Sequence, residues 1–186
     1  MNTSDFFNIV KEPSIGMYKD KGSSFLSFIY PVLIESTVKS ILLNLKKEHP
    51  KARHICHAYQ WGPDPAYYII NDDGEPGGTA GNPILNQLKS YKLDNTLLVV
   101  VRYFGGSLLG VPRLINEYKK SSLDAIQHAA IIVMRRNVYF RIKAPYSMEK
   151  NILSVLRKND GEILNKKYGE CIGLEASFPR SLHQKI

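Results

Sequence analysis

Two glycine-rich segments hold the residues of this chain best suited to chemistry. The first, DDGEPGGTAG, sets the carboxylates Asp72, Asp73 and Glu75 among Gly74, Gly77, Gly78, Thr79 and Gly81. The second lies in VVVRYFGGSLLGV, where Arg102, Tyr103 and Phe104 run into Gly105 and Gly106. Each precedes a predicted helix. Glycine tolerates positive φ and lets a ligand approach the main chain. Successive N–H groups in such loops, aided by a helix N-terminus, make a nest for an anion. Arg102 adds a fork of donors that matches phosphate, and Tyr103 or Phe104 adds a ring on which a base stacks. On an extended strand these two rings point to opposite faces, so only one of them shares a surface with a given ligand. Lys21, Arg53, His54 and Arg113 lie in or near the same motifs. Residue type thus points to nucleic acid, and the candidate contacts are Lys21, Arg53, His54, Arg102, Tyr103, Gly105, Gly106 and Arg113.

Other chemistries compete for the same residues. Glycines before a helix also serve tight packing. The three carboxylates repel phosphate unless a cation intervenes. They suit Mg²⁺ beside a phosphorylated substrate, or they brace the loop by accepting backbone hydrogen bonds. Familiar nucleotide and nucleophile signatures are missing: there is no GxxxxGK[ST], and GGSLLG is not GxSxG. HICH resembles a metal motif, but strand alternation puts His54 and Cys56 on one face and His57 on the other. Cys56 and Cys171 are the only cysteines, which gives neither a disulfide framework nor a zinc pair. The expectation is no cofactor and no catalytic centre, with magnesium at the acidic loop as the alternative.

The elements that must position these residues follow from periodicity. SSFLSFIYPVLI reads as a strand ending near Glu35. Val38, Ile41, Leu42 and Leu45 recur at helical spacing, with Ser36 as N-cap, Lys46 and Lys47 in the last turn and Pro50 as the stop. RHICHAYQW and AYYII read as a hairpin around the turn residues GPDP. Ile84, Leu85, Leu88 and Tyr91 mark a second helix, capped by Thr79 or Asn82, with Pro83 in its first turn. NTLLVVVRYF is a strand apolar enough to be buried on both faces. Pro112 opens a long helix with an inner stripe of Leu114, Ile115, Tyr118, Ser122, Ala125, Ile126 and Ala129. A new pattern then starts: a strand in VMRRNVYFRIKAP, a helix over 147–158, and strands in GEILNKKYG and ECIGLEASF. The division expected is a first domain over 1–135 and a second over 136–186. The second is small enough to need its neighbour for stability.

The chain has 186 residues, 44% of them hydrophobic and 23% charged, which suits a soluble globular protein. Met1 to Val10 lacks the basic and apolar regions of a signal peptide, and the longest apolar run is too short to span a bilayer. A cytoplasmic protein is expected. The net charge is +8 and unevenly spread: residues 1–135 carry 15 Lys and Arg against 12 Asp and Glu, whereas 136–186 carry 10 against 5. Such a surplus favours anionic partners or keeps a solvated surface basic.

At this level of detail the chain resembles the IMPACT/YigZ family. DDGEPGGTAGNP, then VVVRYFGGSLLG, then Leu114 and Tyr118 match its two long motifs at the right separation. Lys21, Gly22, Ser23 and Phe25 resemble its KGSxF opening, and Ala52, His54, Cys56 and Ala58 its AxHxCxA strand. The resemblance covers residues 19 to about 130. It implies a mixed α/β (α+β) protein: an N-terminal two-layer domain like those of ribosomal proteins, with a left-handed βαβ crossover, and a small ferredoxin-like C-terminal domain. It also implies a role around translation, which eukaryotic members regulate by competing for an activator of the amino-acid-starvation kinase. Bacterial members are suspected of binding nucleic acid or ribosomes.

This chain departs from the pattern. Ser24 stands where a basic residue is usual, and the family's GGLVRAY is replaced by Pro112 to Tyr118, without its glycines and with Asn116 for its arginine. Pro112 removes a donor, which weakens any anion nest there. After the third strand of the second domain only PRSLHQKI follows, so a ferredoxin-like unit would be incomplete or end differently. Three functions are then in play. The first is a non-enzymatic translation-associated regulator that binds RNA or the ribosome. The second is a regulator that binds a protein, anchored by aromatics such as Tyr59, Trp61, Tyr67 or Tyr68. The third is a Mg²⁺-dependent enzyme.

Overall fold

The computed structural model describes residues 5–62 and 67–182. Its contacts divide the chain into two compact units, one of Asn8–Val133 and one of Met1–Phe7 with Met134–Ile186. The N-terminal strand β1, Phe6–Val10, pairs with β7, Ile131–Arg135, as a two-stranded sheet.

The larger unit is built on β2 (Ser14–Asp20), β3 (Ser23–Pro31), β4 (His54–Gln60), β5 (Tyr68–Asn71) and β6 (Thr96–Tyr103), in the order β2-β3-β6-β4-β5. Every neighbouring pair is antiparallel. β6 is central, and its apolar run is buried on both faces as its sequence requires. Leu98 and Val100 face α2 (Gly81–Ser90) and α3 (Val111–His128), in a core with Phe25, Ile29, Ile84, Leu88, Leu114, Tyr118 and Ile126. Leu97, Val99 and Val101 face the other way, against Val38 and Leu45 of α1 (Ser36–Glu48). The mixed α/β class holds, and α1 adds a layer to the two that the resemblance implies.

α3 lies close to the sheet because the residues between them are small. Ser121 Oγ donates to the Phe25 carbonyl at 3.0 Å and meets Ser27 Oγ. A Cβ on Gly16 would overlap the backbone of Asp124 and Ala125.

Several local expectations change. β3 stops at Pro31, four residues before Glu35, and one more bond in the register of β6, from Val32 N to the Asn95 carbonyl, follows it. Ser36 is the first helical residue rather than the cap, and Thr37 Oγ1 donates to the Ile34 carbonyl. Neither Thr79 nor Asn82 caps α2: Thr79 Oγ1 donates to the Pro76 carbonyl instead. α3 ends at His128, so Ala129 lies just beyond it, and Ile115 is exposed. The GPDP turn lies largely outside the described residues.

The smaller unit contains β8 (Asn137–Ala144), a 3-10 turn at Tyr146–Met148, α4 (Glu149–Lys158), β9 (Glu162–Tyr168) and β10 (Ile172–Pro179). The strands form an antiparallel sheet in the order β8-β10-β9. α4 covers one face through Leu156, Ile152 and Leu153 against Val138, Phe140, Ala176 and Phe178. Residues 5–7 belong to this unit: Arg136 N donates to the Asp5 carbonyl, and the Asp5 carboxylate accepts from Ser181 N and Oγ.

Candidate functional site

Register brings both glycine motifs to one end of the five-stranded sheet. His54 of β4 pairs with Arg102 of β6, and Ser24 of β3 pairs with Tyr103. The loop after β5, the turn before β3 and the loop after β6 therefore adjoin one another. Gly105 packs against Gly22 so closely that a Cβ there would overlap the Gly22 carbonyl carbon and Ser23 N.

Below the loops lies a buried polar network. Arg102 is 4% exposed and Glu75 8%. Arg102 Nη1 donates to Glu75 Oε1 at 2.5 Å, and the Tyr118 hydroxyl donates to the same oxygen at 2.8 Å. Tyr118 in turn lies within reach of Cys56 Sγ at 3.3 Å. The guanidinium faces the rings of Phe25 and Phe104, at 5.4 and 5.6 Å from their centroids. Burial raises the pKa of the Cys56 thiol and of the Tyr118 phenol far above their ordinary values, so both stay protonated at any working pH.

The acidic loop folds back on its own main chain. Asp72 Oδ1 accepts from Ala80 N and Gly81 N at 2.9 and 2.8 Å, and Oδ2 accepts from Gly78 N at 2.8 Å. Asp72 thus supplies from outside the helix the cap that neither Thr79 nor Asn82 gives. Burial alone would raise its carboxyl, but these three donors bring it below its ordinary value. Asp73 Oδ2 accepts from Ile55 N at 2.6 Å, and its carbonyl accepts from His54 Nδ1 at 2.7 Å. The carboxylates brace the loop and the β4 edge. Among the described residues, no three His, Cys, Asp or Glu side chains are grouped to hold a metal ion.

Two candidate cations therefore change role. Arg102 is not an open donor for phosphate; its charge is spent on Glu75, because a buried guanidinium needs a carboxylate beside it. Arg113 clasps Asp20 with two bonds of 2.5 Å. Tyr103 turns toward α1, where its hydroxyl meets His49 Nδ1 at 2.7 Å, leaving Phe104 as the exposed ring. Lys21, Arg53, Gly74, Gly77, Gly105 and Gly106 are exposed, while Thr79 and Gly81 are buried. Of the aromatic anchors, Tyr59 is fully buried, with its phenol pushed up to about 12 by burial, whereas Tyr67 and Tyr68 are exposed. The Glu75–Arg102 bond escaped sequence reasoning because its partners are 27 positions apart. The one available signal was that one motif carries carboxylates and the other a single arginine at the end of a buried strand.

Strands β3 to β6, helices α1 and α2, most of α3 and both glycine loops form the part of the chain that matches the Impact N-terminal domain. Residues 21–126 match that family, and the chain belongs to the IMPACT family. It is 34% identical to the IMPACT family member YvyE of Bacillus subtilis over 82% of this chain and 70% of YvyE. It is 32% identical to the IMPACT family member YigZ of Escherichia coli over 86% and 79%. A crystal structure described as that of a hypothetical protein superposes with a TM-score of 0.74 at 28% identity, over 97% of this chain and 89% of the other.

Proposed function

We propose that this protein is a translation-associated regulator that acts by binding RNA, alone or within the ribosome, rather than by turning over a substrate. Family membership supports the translational setting. The observation that carries the RNA reading is a succession of exposed cations from the last turns of α1 to the start of β4: Lys46, Lys47, Lys51 and Arg53, with Lys39 further back on the helix. Glu48 is the acidic residue among them, and none of these cations has a carboxylate within ion-pair reach among the described residues. They are free for phosphate, as Arg102 and Arg113 are not. The glycine loops then order this end of the sheet instead of forming the anion seat themselves.

The test is fluorescence anisotropy with a labelled ribosomal RNA fragment across a salt series. Affinity should fall steeply with salt, and the Lys46→Glu/Lys47→Glu double variant should weaken binding about tenfold or more. Affinity that is absent at low salt, or indifferent to salt, rejects the reading.

One observation favours a second reading, a protein partner. Phe104 and Leu108 on the loop after β6 and Val111 at the start of α3 are exposed, Leu108 by 89%, and apolar side chains grouped in this way suit an interface. Under that reading Leu108→Asp would abolish association with translation components after nuclease treatment and leave RNA affinity unchanged.

A further inference from the structure

The sheet of the smaller unit has a face that α4 leaves uncovered. Val138 and Phe140 of β8 turn toward α4, so Tyr139, Arg141 and Lys143 turn the other way. Register sets these three opposite Ser177, Glu175 and Gly173 of β10. On the far side of β10, Glu175 pairs with Asn165 and Gly173 with Lys167 of β9. Lys143 and Lys167 therefore flank a residue with no side chain, and a hollow of about 130 Å³ lies among them. A second hollow of about 380 Å³ is lined by Tyr139, Arg141, Leu164 and Glu175, beside the bulge between Glu175 and Ala176.

The charges and rings of this face are largely unclaimed. Tyr139 is 71% exposed and has no hydrogen-bond or ring partner among the described residues. Lys143 and Lys167 are exposed, with no carboxylate in ion-pair reach among those residues. Arg141 meets Glu175 at 3.3 Å, a solvent-exposed pair of small energetic weight. A flat strand surface with a bare ring and cations either side of a glycine offers a π-face to a base and positive charge to the adjoining backbone. A duplex keeps its bases stacked and cannot use the ring.

We infer that the open face of this sheet binds single-stranded RNA, with a base on Tyr139 and backbone phosphates at Lys143 and Lys167. The assignment rests on the RNA-binding reading above and gives it a second, chemically different surface. Glu175 works against a polyanion, so its neutral variant tightens binding.

The full chain is titrated into a fluorescein-labelled 12-nucleotide single-stranded RNA and into the same sequence as a duplex. Tyr139→Ala weakens the single strand about tenfold, and Tyr139→Phe keeps the affinity. Lys143→Ala/Lys167→Ala makes the log Kd against log salt slope shallower by about 1.4, at about 0.7 per neutralised phosphate for single strands. Glu175→Gln strengthens binding. Circular dichroism melts identify any variant that has lost its fold, and the two conservative variants, Tyr139→Phe and Glu175→Gln, then carry the result. If the single strand binds but the Tyr139 and lysine variants match the unmodified protein, while Lys46→Glu/Lys47→Glu does not, the sheet assignment is overturned and the RNA reading stands. Preference for the duplex also overturns the assignment. Failure to bind either RNA at low salt removes both.

Discussion

Glu75 and Arg102 show how one bond decides the meaning of a motif. Both charges are withdrawn from water, which is tolerable only while they face each other; removing one leaves the other buried and unpaired. Arg102→Ala or Glu75→Ala should each cost about 3–5 kcal/mol. In a double-mutant cycle by denaturant unfolding, the pair should lose much less than the sum of the singles. Additive losses would mean that the two do not act together.

Asp72 gives the residue scale its pH dependence. Its folded carboxyl lies below the ordinary value, so the folded state binds the proton less readily than the unfolded chain. Its stabilisation is complete above the unfolded pKa of about 3.9 and is lost as pH falls through the lowered folded value. Asp72→Ala should destabilise by about 1–2 kcal/mol at neutral pH. It should also flatten the stability-versus-pH curve below about pH 4. An unchanged acid limb would show that the three N–H donors do not hold the carboxylate ionised.

At the scale of elements, the placing of α3 depends on what is absent from the side chains beneath it. Gly16 of β2 faces the Ala125 backbone, and Ser27 faces Ser121. Gly16→Ala should force the helix off the sheet and destabilise by about 1–3 kcal/mol, as overpacking does. Gly77→Ala is the fitting control: that glycine lacks positive φ, and an added Cβ would meet nothing within 4 Å. Equal melting temperatures for the two would refute the close approach. The same scale shows where periodicity falls short. β4, β6, α1 and α3 are legible because their apolar spacing is strong. β1 and β2 are not: Phe6–Val10 and Ser14–Asp20 alternate weakly, and β1 is held by β7, far along the chain, while β2 pairs with β3 across the two-residue turn at Lys21 and Gly22. The cap of α2 is expected next to the helix and comes instead from Asp72, across a loop.

At the scale of the whole molecule, net charge is a poor guide to where an anion binds; the count that matters is of cations not already paired. By that measure the C-terminal half of α1 with Lys51 and Arg53 is one surface, and the open sheet of the smaller unit is another. For Lys46→Glu/Lys47→Glu, the salt slope on structured RNA should fall by roughly 0.9 for each phosphate that the variant no longer neutralises. A lower affinity with an unchanged slope would show that the two lysines act on the fold and not on phosphate.

The sequence alone settled which residues form the central strands and helices and that the chain is of the IMPACT kind, because apolar periodicity and two long glycine motifs are local, ordered patterns. It also singled out Arg102, Glu75 and Asp72 as residues with work to do. Only the tertiary structure decided what that work is. Whether a charge faces water or another charge depends on how loops and helices fold back on the sheet: the loop after β5 brings Glu75 to Arg102 and Asp72 to the amides of α2, and α3 brings Arg113 to Asp20. The motifs that looked like a seat for an anion are braced from within: Arg102 and Arg113 are already paired, while Lys21 and Arg53 beside them stay exposed.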